Sequence, residues 1–225
     1  MANIIIIGAS RGIGFQLIQL LSAKHQVLAL SRHTEPLHKL NIKNLRVEQF
    51  DLTDKSSKSN LENIIRKHFQ KIDILINNAG YLINAPVLDL TEDDIDNMFA
   101  TNVTGVIKAC QVVIPFMPKG AHIVNIGSMG GFQGSSKFVG LSAYSSSKAA
   151  IASFTECLAE ELKDKEISAN CLALGAVQTE MLEAAFPDYQ APVSAKNMAE
   201  YISQFSLTGQ NWFNGKVLPV SLSTP

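Results

Sequence analysis

The chain has 225 residues, 46% of them hydrophobic and 17% charged, and its formal net charge is −1. This composition supports a buried core in one or two domains, and the lack of a basic cluster argues against a nucleic-acid surface. The apolar runs are strand-sized, well short of the roughly 20 residues of a membrane span, and the first residues lack a secretory pattern. We therefore expect a cytoplasmic protein.

Metal and disulfide chemistry are not indicated. Cys110, Cys157 and Cys171 are odd in number and lie in apolar surroundings, which favours buried thiols. The five histidines do not have metal-ligand spacing. We expect no metal site.

The first elements have the pattern of a dinucleotide site. Asn3–Ile7 is a β-branched run that predicts a strand, and helical spacing follows over Ile13–Ala23. Between them lies Gly8-Ala9-Ser10-Arg11-Gly12-Ile13-Gly14. Glycines let the backbone approach a pyrophosphate, and a helix start attracts the anion. A glycine-rich turn without a ligand is the alternative interpretation.

Strand-like and helix-like segments alternate along the rest of the chain. Further strands are expected at Gln26–Leu30, Leu45–Phe50, Ile72–Ile76, His122–Ile126, Ile167–Leu172 and Lys216–Val220. Further helices are expected at Lys58–Phe69, Glu92–Phe116, Ser142–Lys163 and Ala195–Gln204. The alternation predicts a doubly wound, Rossmann-type α/β fold: a seven-stranded parallel sheet with helices on both faces, in a single domain over residues 1–225. Residues 175–194 are the one long irregular segment, which we expect to cover the site at the carboxyl ends of the strands.

A phenol and an ammonium group lie four residues apart in the helix predicted to begin at Ser142. Tyr144 and Lys148 would share one face of that helix. A free phenol titrates near pH 10, so proton exchange at neutral pH requires its pKa to fall by about three units, roughly 4 kcal/mol. A cation about 4 Å away, at an effective dielectric constant of about 20, supplies an interaction of that size. We therefore interpret the pair as an acid–base device.

With these elements in order, the chain resembles the short-chain dehydrogenase/reductase family, single-domain type, from residue 3 to about residue 180. The resemblance rests on the glycine spacing Gly8-x-x-x-Gly12-x-Gly14, on Asp51-Leu52-Thr53, on Asn77-Asn78-Ala79-Gly80, and on the tetrad Asn102, Ser128, Tyr144 and Lys148. It implies an enzyme that interconverts a carbonyl and an alcohol on a small organic substrate. It also implies cofactor contacts from Gly8, Ser10, Arg11, Gly12, Ile13, Gly14, Ser31, Arg32, Asp51, Leu52, Asn78, Ala79, Gly80, Tyr144, Lys148, Val177 and Thr179.

The resemblance assigns roles to the tetrad. Tyr144 would give a proton to the carbonyl oxygen in reduction or remove one in oxidation, and Ser128 would stabilise that oxygen. Lys148 would lower the pKa of Tyr144 and hold the nicotinamide ribose. Asn102 would hold a water in a proton relay. Relatives are often dimers or tetramers through their long helices, so a homo-oligomer is expected through Glu92–Phe116 and Ser142–Lys163.

Each tetrad or turn residue also has a simpler interpretation. Asp51 would serve equally well as a turn or cap residue. Asn102 in mid-helix would ordinarily face solvent, Ser128 is a common loop residue, and Lys148 alone would be a surface charge. The functional interpretation depends on all of them occurring in order.

The cofactor is expected to be NADP(H), with NAD(H) as the other possibility. An acid at the end of the second strand would bind the ribose 2′-hydroxyl of NAD, but here Ser31 and Arg32 stand there. Arg11 adds a second cation, and guanidinium groups bind a 2′-phosphate well. The alternative is that both arginines are merely solvated. Val177 and Thr179 are expected at the carboxamide.

Three features depart from the family pattern. Ser128 and Tyr144 are sixteen residues apart, a few more than usual, so Ser128 could be displaced, with Ser135 or Ser136 as substitutes. Leu174-Gly175 replaces Pro-Gly, which predicts a less rigid turn. The carboxyl end, Leu218–Leu222, lacks the acidic-Gly-Gly ending.

Two other functions compete with the reductase hypothesis. One is a non-catalytic dinucleotide-binding sensor or regulator on the same fold, which would not need the tyrosine. The other is isomerisation or dehydration of a nucleotide sugar, which would need an extra substrate domain. A chain of 225 residues leaves little room for that domain. A mainly apolar substrate wall is suggested by Phe132, Phe138, Leu141, Met181, Leu182, Phe186 and Tyr189, although such residues are also common in packing.

Overall fold

The structure, a computed structural model, describes residues 1–222. Its strands are β1 (Asn3–Ile7), β2 (Gln26–Ser31), β3 (Leu45–Gln49), β4 (Ile74–Asn77), β5 (His122–Ser128), β6 (Ser168–Leu174), β7 (Val177–Gln178), β8 (Val193–Ser194) and β9 (Val217–Val220). Its α-helices are α1 (Gly12–Ser22), α2 (Glu35–His38), α3 (Ser57–His68), α4 (Glu92–Phe99), α5 (Gly105–Val113), α6 (Ser142–Glu161), α7 (Glu180–Ala185) and α8 (Ala195–Thr208).

Seven parallel strands form the main sheet in the order β3-β2-β1-β4-β5-β6-β9. The chain runs outward from β1 through β2 to β3, then returns to β4 on the other side of β1. This reversal is the switch point at which ligands bind in open α/β sheets. The predicted doubly wound fold is confirmed.

Alternate residues of β1 enter two different cores. Ile5 and Ile7 pack with side chains of α3, α5 and α6, whereas Ile4 and Ile6 pack with side chains of α1 and α8. All four are almost completely buried, and burial of each such side chain contributes about 1.5–3 kcal/mol. The strand is apolar throughout because helices cover both faces of the sheet.

The helix predicted over Glu92–Phe116 is not one regular α-helix. A π-helical turn, Ala100–Thr104, separates α4 from α5, and a 3₁₀ turn follows α5. Pro115 in that 3₁₀ turn has no N–H to continue α-helical bonding. Such π-helical turns are frequent at functional sites, and this one contains Asn102.

By length and apolar composition alone, the helical run Glu92–Phe116 would also qualify as a membrane span. A buried core helix passes the same test. In this fold Val106, Ala109 and Val113 of the run pack in the core that covers one face of the sheet.

The segment expected to be irregular, residues 175–194, contains β7, α7 and β8, and the two short strands pair in parallel. Thr179 explains why α7 forms, because its hydroxyl accepts a hydrogen bond from the Leu182 N–H at 3.3 Å. The Gln178 side chain accepts from the Ala191 N–H at 2.8 Å. Side-chain bonds of this kind explain why the segment is ordered without a long apolar pattern.

Cys157 is exposed, so its predicted burial is wrong, while Cys110 and Cys171 are buried. The cause is the helical repeat of α6, which places Cys157 on the same exposed stripe as Ser153 and Glu160. Within residues 1–222, no group of three histidine, cysteine or acidic side chains is placed to hold a metal ion.

Candidate active site

A cavity of about 860 Å³ opens at the carboxyl ends of the sheet strands. Its volume lies within the roughly 300–1,000 Å³ typical of small-molecule sites. The sequence-predicted residues that line it are Gly8, Ser10, Arg11, Gly12, Ile13, Ser31, Arg32, Asp51, Leu52, Asn78, Ala79, Gly80, Ser128, Tyr144, Lys148, Val177 and Thr179. Of the predicted catalytic and cofactor-binding residues, Gly14 and Asn102 do not line it.

The glycine turn is held against the turn that follows β4. Gly8 has φ +87°, and a β-carbon on it would lie 2.5 Å from the Ala79 nitrogen. The Asn78 side chain donates to the Gly8 carbonyl at 2.7 Å. Only glycine fits this close approach, which brings the backbone of both turns to the cavity wall.

The start of α1 suits an anion. Its N-cap residue, Arg11, makes no side-chain capping bond, and the first turn contains no acidic residue. The free N–H groups and the positive end of the helix dipole therefore face the cavity beside the glycine turn. These features fit the pyrophosphate of a dinucleotide.

Gly14 was expected to contact the cofactor but packs inside the turn. A β-carbon at Gly14 would overlap the Gly8 carbonyl oxygen and lie 2.7 Å from the Asn78 side-chain nitrogen. Its role is the close packing of α1 against β1 and the neighbouring turn.

Two arginines and a histidine line the cavity at the end of β2 and in the glycine turn. They are Arg32, His33 and Arg11, and Ser31 is buried at the strand end. Within the described residues, neither arginine forms an ion pair. Both guanidinium groups therefore remain available to an anionic ligand.

Asp51 forms a local turn at the wall of the cavity. Its carboxylate accepts from the Thr53 N–H at 2.9 Å and from the Thr53 hydroxyl at 2.7 Å, which forms a local turn. The residue also lines the cavity beside Leu52, at the end of β3. The turn interpretation is confirmed, while the adenine contact stays a prediction.

Ser128, Tyr144 and Lys148 meet where β5 ends and α6 begins. The hydroxyls of Ser128 and Tyr144 share a hydrogen bond. The Lys148 ammonium donates to the Ile126 carbonyl at 2.8 Å and lies 5.9 Å from the centre of the Tyr144 ring. The longer spacing in sequence therefore does not displace Ser128.

The electrostatics of this group differ from expectation. Burial raises the pKa of the Tyr144 hydroxyl, and the hydrogen bond with Ser128 lowers it by less. Burial lowers the pKa of Lys148 from 10.5 to about 8. The expected lowering of the Tyr144 pKa is thus not seen, because desolvation outweighs the hydrogen bond with Ser128.

Asn102 is buried and faces the turn after β4, so the solvent-facing interpretation is wrong. Its side chain accepts from the Tyr81 N–H at 2.8 Å and donates to the Tyr81 carbonyl at 2.9 Å. It also donates to the Ser147 hydroxyl at 2.9 Å. Asn102 therefore ties the π-helical turn to α6 and to the wall of the cavity.

The extra residues between Ser128 and Tyr144 form a bonded loop. The Ser135 hydroxyl donates to the carbonyls of Met129 and Phe132 and accepts from the Lys137 ammonium at 2.6 Å. Ser135 is therefore fully engaged and does not replace Ser128. Ser136 lines the cavity, whereas Phe132, expected in its wall, does not.

The Leu174-Gly175 turn is held by the last strand rather than by a proline. Gly175 donates to the Val220 carbonyl at 2.9 Å, and Leu174 pairs with Val220 in the sheet. Ser221 lines the cavity next to this turn. These contacts hold the turn in place, while its lower rigidity stays a prediction. Residues 223–225 of the tail lie outside the described part.

Residues of the segment that contains α7 line the cavity, and its role as a substrate loop stays a prediction. A β-carbon on Gly12 would lie 3.3 Å from a Thr179 methyl carbon and 3.4 Å from a Glu180 carboxylate oxygen. One on Gly80 would lie 3.6 Å from the Met181 methyl carbon and 3.7 Å from the Lys148 nitrogen. Glu180 thus lies beside the glycine turn, whereas Met181 lies beside Gly80.

Sequence reasoning missed several cavity residues. They include Leu30, His33, Phe50, Thr53, Leu82, Thr101, Ile126, Glu180 and Ser221. His33, Thr53 and Glu180 each directly follow a predicted contact residue in the sequence, and this adjacency could have identified them. Leu82, Thr101 and Ser221 carried no such signal, because only the folded chain brings them to the cavity.

Comparison with known proteins agrees with this geometry. The chain matches the family model for short chain dehydrogenases over residues 2–190. It is 28% identical over 205 residues to an uncharacterized oxidoreductase of Staphylococcus epidermidis, covering 88% of this chain and 87% of that protein. It is 28% identical over 237 residues to the 3-oxoacyl-[acyl-carrier-protein] reductase FabG of Chlamydia trachomatis, covering 96% and 94%.

Among solved structures, it is similar to a short chain dehydrogenase from Burkholderia cenocepacia in complex with NADP. The TM-score is 0.86 at 26% identity, over 98% of this chain and 96% of that one. The chain therefore belongs to the short-chain dehydrogenase/reductase family of oxidoreductases.

Proposed function

We propose that the protein is an NADP(H)-dependent oxidoreductase that interconverts a carbonyl and an alcohol on a small organic substrate. The observation that carries this proposal is the hydrogen-bonded pair Ser128 and Tyr144 in the same cavity as the glycine turn. An acid–base group and a dinucleotide cradle are thus within reach of one ligand.

The chain offers a place for each part of the cofactor. The start of α1 would hold the pyrophosphate, and Asp51 and Leu52 would lie beside the adenine. Lys148 lies near Gly80, where its ammonium would reach the ribose of the nicotinamide. When bound, the nicotinamide supplies or accepts the hydride.

Tyr144 and Ser128 would act on the substrate oxygen. The Tyr144 hydroxyl, whose pKa is raised by burial, is protonated at neutral pH and would donate its proton to the carbonyl oxygen during reduction. The Ser128 hydroxyl would donate to the same oxygen as negative charge develops there. A protonated Lys148 would stabilise the phenolate that remains on Tyr144. Asn102 would position the turn that carries Gly80, and its predicted water relay stays a prediction.

Preference for NADP(H) over NAD(H) is supported by charge. The end of β2 presents Arg32 and no acid, and Arg11 lines the same part of the cavity. Both would bind a 2′-phosphate, which a carboxylate would repel. The relative from Burkholderia cenocepacia was solved with NADP. Val177 and Thr179 would lie near the carboxamide, although the Thr179 hydroxyl also caps α7.

The non-catalytic sensor is not favoured, because a pure binder has no need of the hydrogen-bonded pair Ser128 and Tyr144. A homo-oligomer through α4, α5 and α6 and a cytoplasmic location remain predictions. Light scattering after gel filtration would test the oligomeric state.

The test of function is NADPH consumption with a panel of carbonyl compounds, run beside the Tyr144→Phe variant. We expect turnover in the wild type and strong loss in the variant with cofactor binding retained. Binding of NADPH without turnover on any compound would favour the sensor. Kinetics with NADH in parallel test the cofactor, and equal or better use of NADH would reject the NADP(H) assignment.

A further inference from the structure

The cavity divides into a charged part and an apolar part. The ionisable groups on the cofactor side are Arg11, Arg32, His33, Asp51 and Glu180. Arg11 belongs to the glycine turn, Arg32 and His33 follow β2, and Asp51 follows β3. The Glu180 carboxylate faces Gly12. The remaining wall comes from the segment after β4, the loop before α6, and the part of α7 that follows Glu180 with the residues after it. Its side chains include Leu82, Phe138, Leu141, Leu182, Phe186 and Tyr189.

This second wall offers no partner for a charged substrate. Among the described residues that line it, none is an arginine, a histidine or an acid. Lys148, the lysine that lines the cavity, is 5% exposed and already donates to the Ile126 carbonyl. A charged group placed here would lose its hydration without a compensating ion pair, which is costly.

Hydrogen bonds join the three segments of the wall into one unit. The Ala85 N–H donates to the Gly140 carbonyl at 3.0 Å. The Asn84 side chain donates to the Ala185 carbonyl at 2.7 Å. The segment after β4 is thereby fixed both to the loop before α6 and to α7. An apolar surface held in this way is a built site rather than an accidental contact between loops.

The opening of this wall exposes aromatic surface. Phe138 and Tyr189 both line the cavity, yet they are 56% and 49% exposed. An apolar ligand would cover these rings and remove their surface from water, which stabilises the complex. A polar ligand of the same size would not gain this stabilisation.

We infer that the substrate is an uncharged carbonyl compound bearing an aromatic ring or an alkyl chain of several carbons. The ring or chain would lie between α7 and the loop before α6, with the carbonyl at Tyr144. This inference rests on the proposed function and adds the class of substrate to it.

The first experiment compares probes of the same shape and different charge. The steady-state kcat/KM with NADPH is measured for 4-methylacetophenone and for 4-acetylbenzoate, and then for 2-alkanones from butanone to nonanone. We expect the neutral aryl ketone to exceed the anion by at least a hundredfold. Each added methylene should raise kcat/KM about fourfold until the wall is filled.

The second experiment reverses the preference. Leu182→Arg places a cation in the wall and should raise kcat/KM for 4-acetylbenzoate, relative to 4-methylacetophenone, at least tenfold. Leu182→Met is the matched control and should keep the wild-type ratio. Circular dichroism and NADPH affinity identify a variant that fails to fold.

The outcomes separate the two proposals. Preferential turnover of the anion, or no gain along the alkanone series, would overturn this inference and leave the carbonyl reductase intact. Binding of NADPH without turnover of either class would overturn both. A Leu182→Arg variant that folds and keeps the wild-type ratio would contradict the place assigned to the ring or chain.

Discussion

Raising the pH is predicted to weaken cofactor binding through Lys148. Burial lowers the pKa of this ammonium from 10.5 to about 8. An anionic dinucleotide binds the protonated lysine better than the neutral one, so binding must raise the pKa of Lys148. By linkage, the Kd for NADPH should be constant below about pH 8 and rise above it.

The size of the effect follows from the same two values. Restoring the pKa of Lys148 from about 8 to its ordinary 10.5 is worth about 3 kcal/mol. The Kd should therefore rise by up to about tenfold for each pH unit above 8, with a ceiling of a few hundredfold.

Fluorescence titration of NADPH between pH 7 and 9.5 measures this dependence. Lys148→Met removes the titrating group and should bind more weakly at pH 7, with a flatter pH profile. A wild-type Kd that stays constant over this range would exclude a contribution of protonated Lys148 to NADPH binding. A Lys148→Met variant with the full wild-type slope would assign the effect to another group.

Three further predictions concern charge elsewhere in the chain. Arg32→Glu should lower the ratio of kcat/KM for NADPH to that for NADH at least tenfold by repelling the 2′-phosphate; an unchanged ratio in steady-state kinetics would exclude this contact. Glu180→Gln removes the carboxylate that faces Gly12 and would repel the anionic cofactor, so NADPH binding should tighten about threefold in fluorescence titration. Glu180→Asp keeps the charge and should not tighten binding. Equal affinities of the two variants would contradict the repulsion. Burial lowers the pKa of His122 from 6.5 to about 4, so the unfolded chain takes up a proton at a higher pH than the folded chain. The stability that is fully present above pH 6.5 should therefore fall by about 3 kcal/mol as the pH drops towards 4. Urea unfolding measures this loss, and the same pH slope in His122→Gln would exclude the assignment.

The sheet could be predicted because its signal is local. A strand covered on both faces must be apolar throughout, and Asn3–Ile7 is such a run. The prediction matched β1 completely, and the other sheet strands differ by one or two residues at either end. The glycine turn was equally readable, since the contact between Gly8 and Ala79 leaves no room for a side chain.

The errors arose where long-range contacts override local pattern. The π-helical turn around Asn102 depends on bonds to Tyr81 and Ser147, which periodicity does not reveal. The order in residues 175–194 depends on side-chain bonds from Thr179 and Gln178.

The pKa of Tyr144 could not be predicted from its spacing to Lys148. Spacing gives proximity on a helix face, but it contains no information about burial. The structure shows that desolvation outweighs the neighbouring hydrogen bond and raises the pKa of the phenol.

Hydride transfer by Tyr144→Phe with NADPH bound tests whether Tyr144 is the proton donor. In single-turnover experiments with an aryl ketone, we expect the rate to fall by about 10²–10⁴, the range that general acid catalysis contributes. The Kd for NADPH should stay within about threefold of the wild-type value, because the substituted hydroxyl bonds to Ser128. Near-normal hydride transfer in this variant would contradict the central claim that Tyr144 is the proton donor.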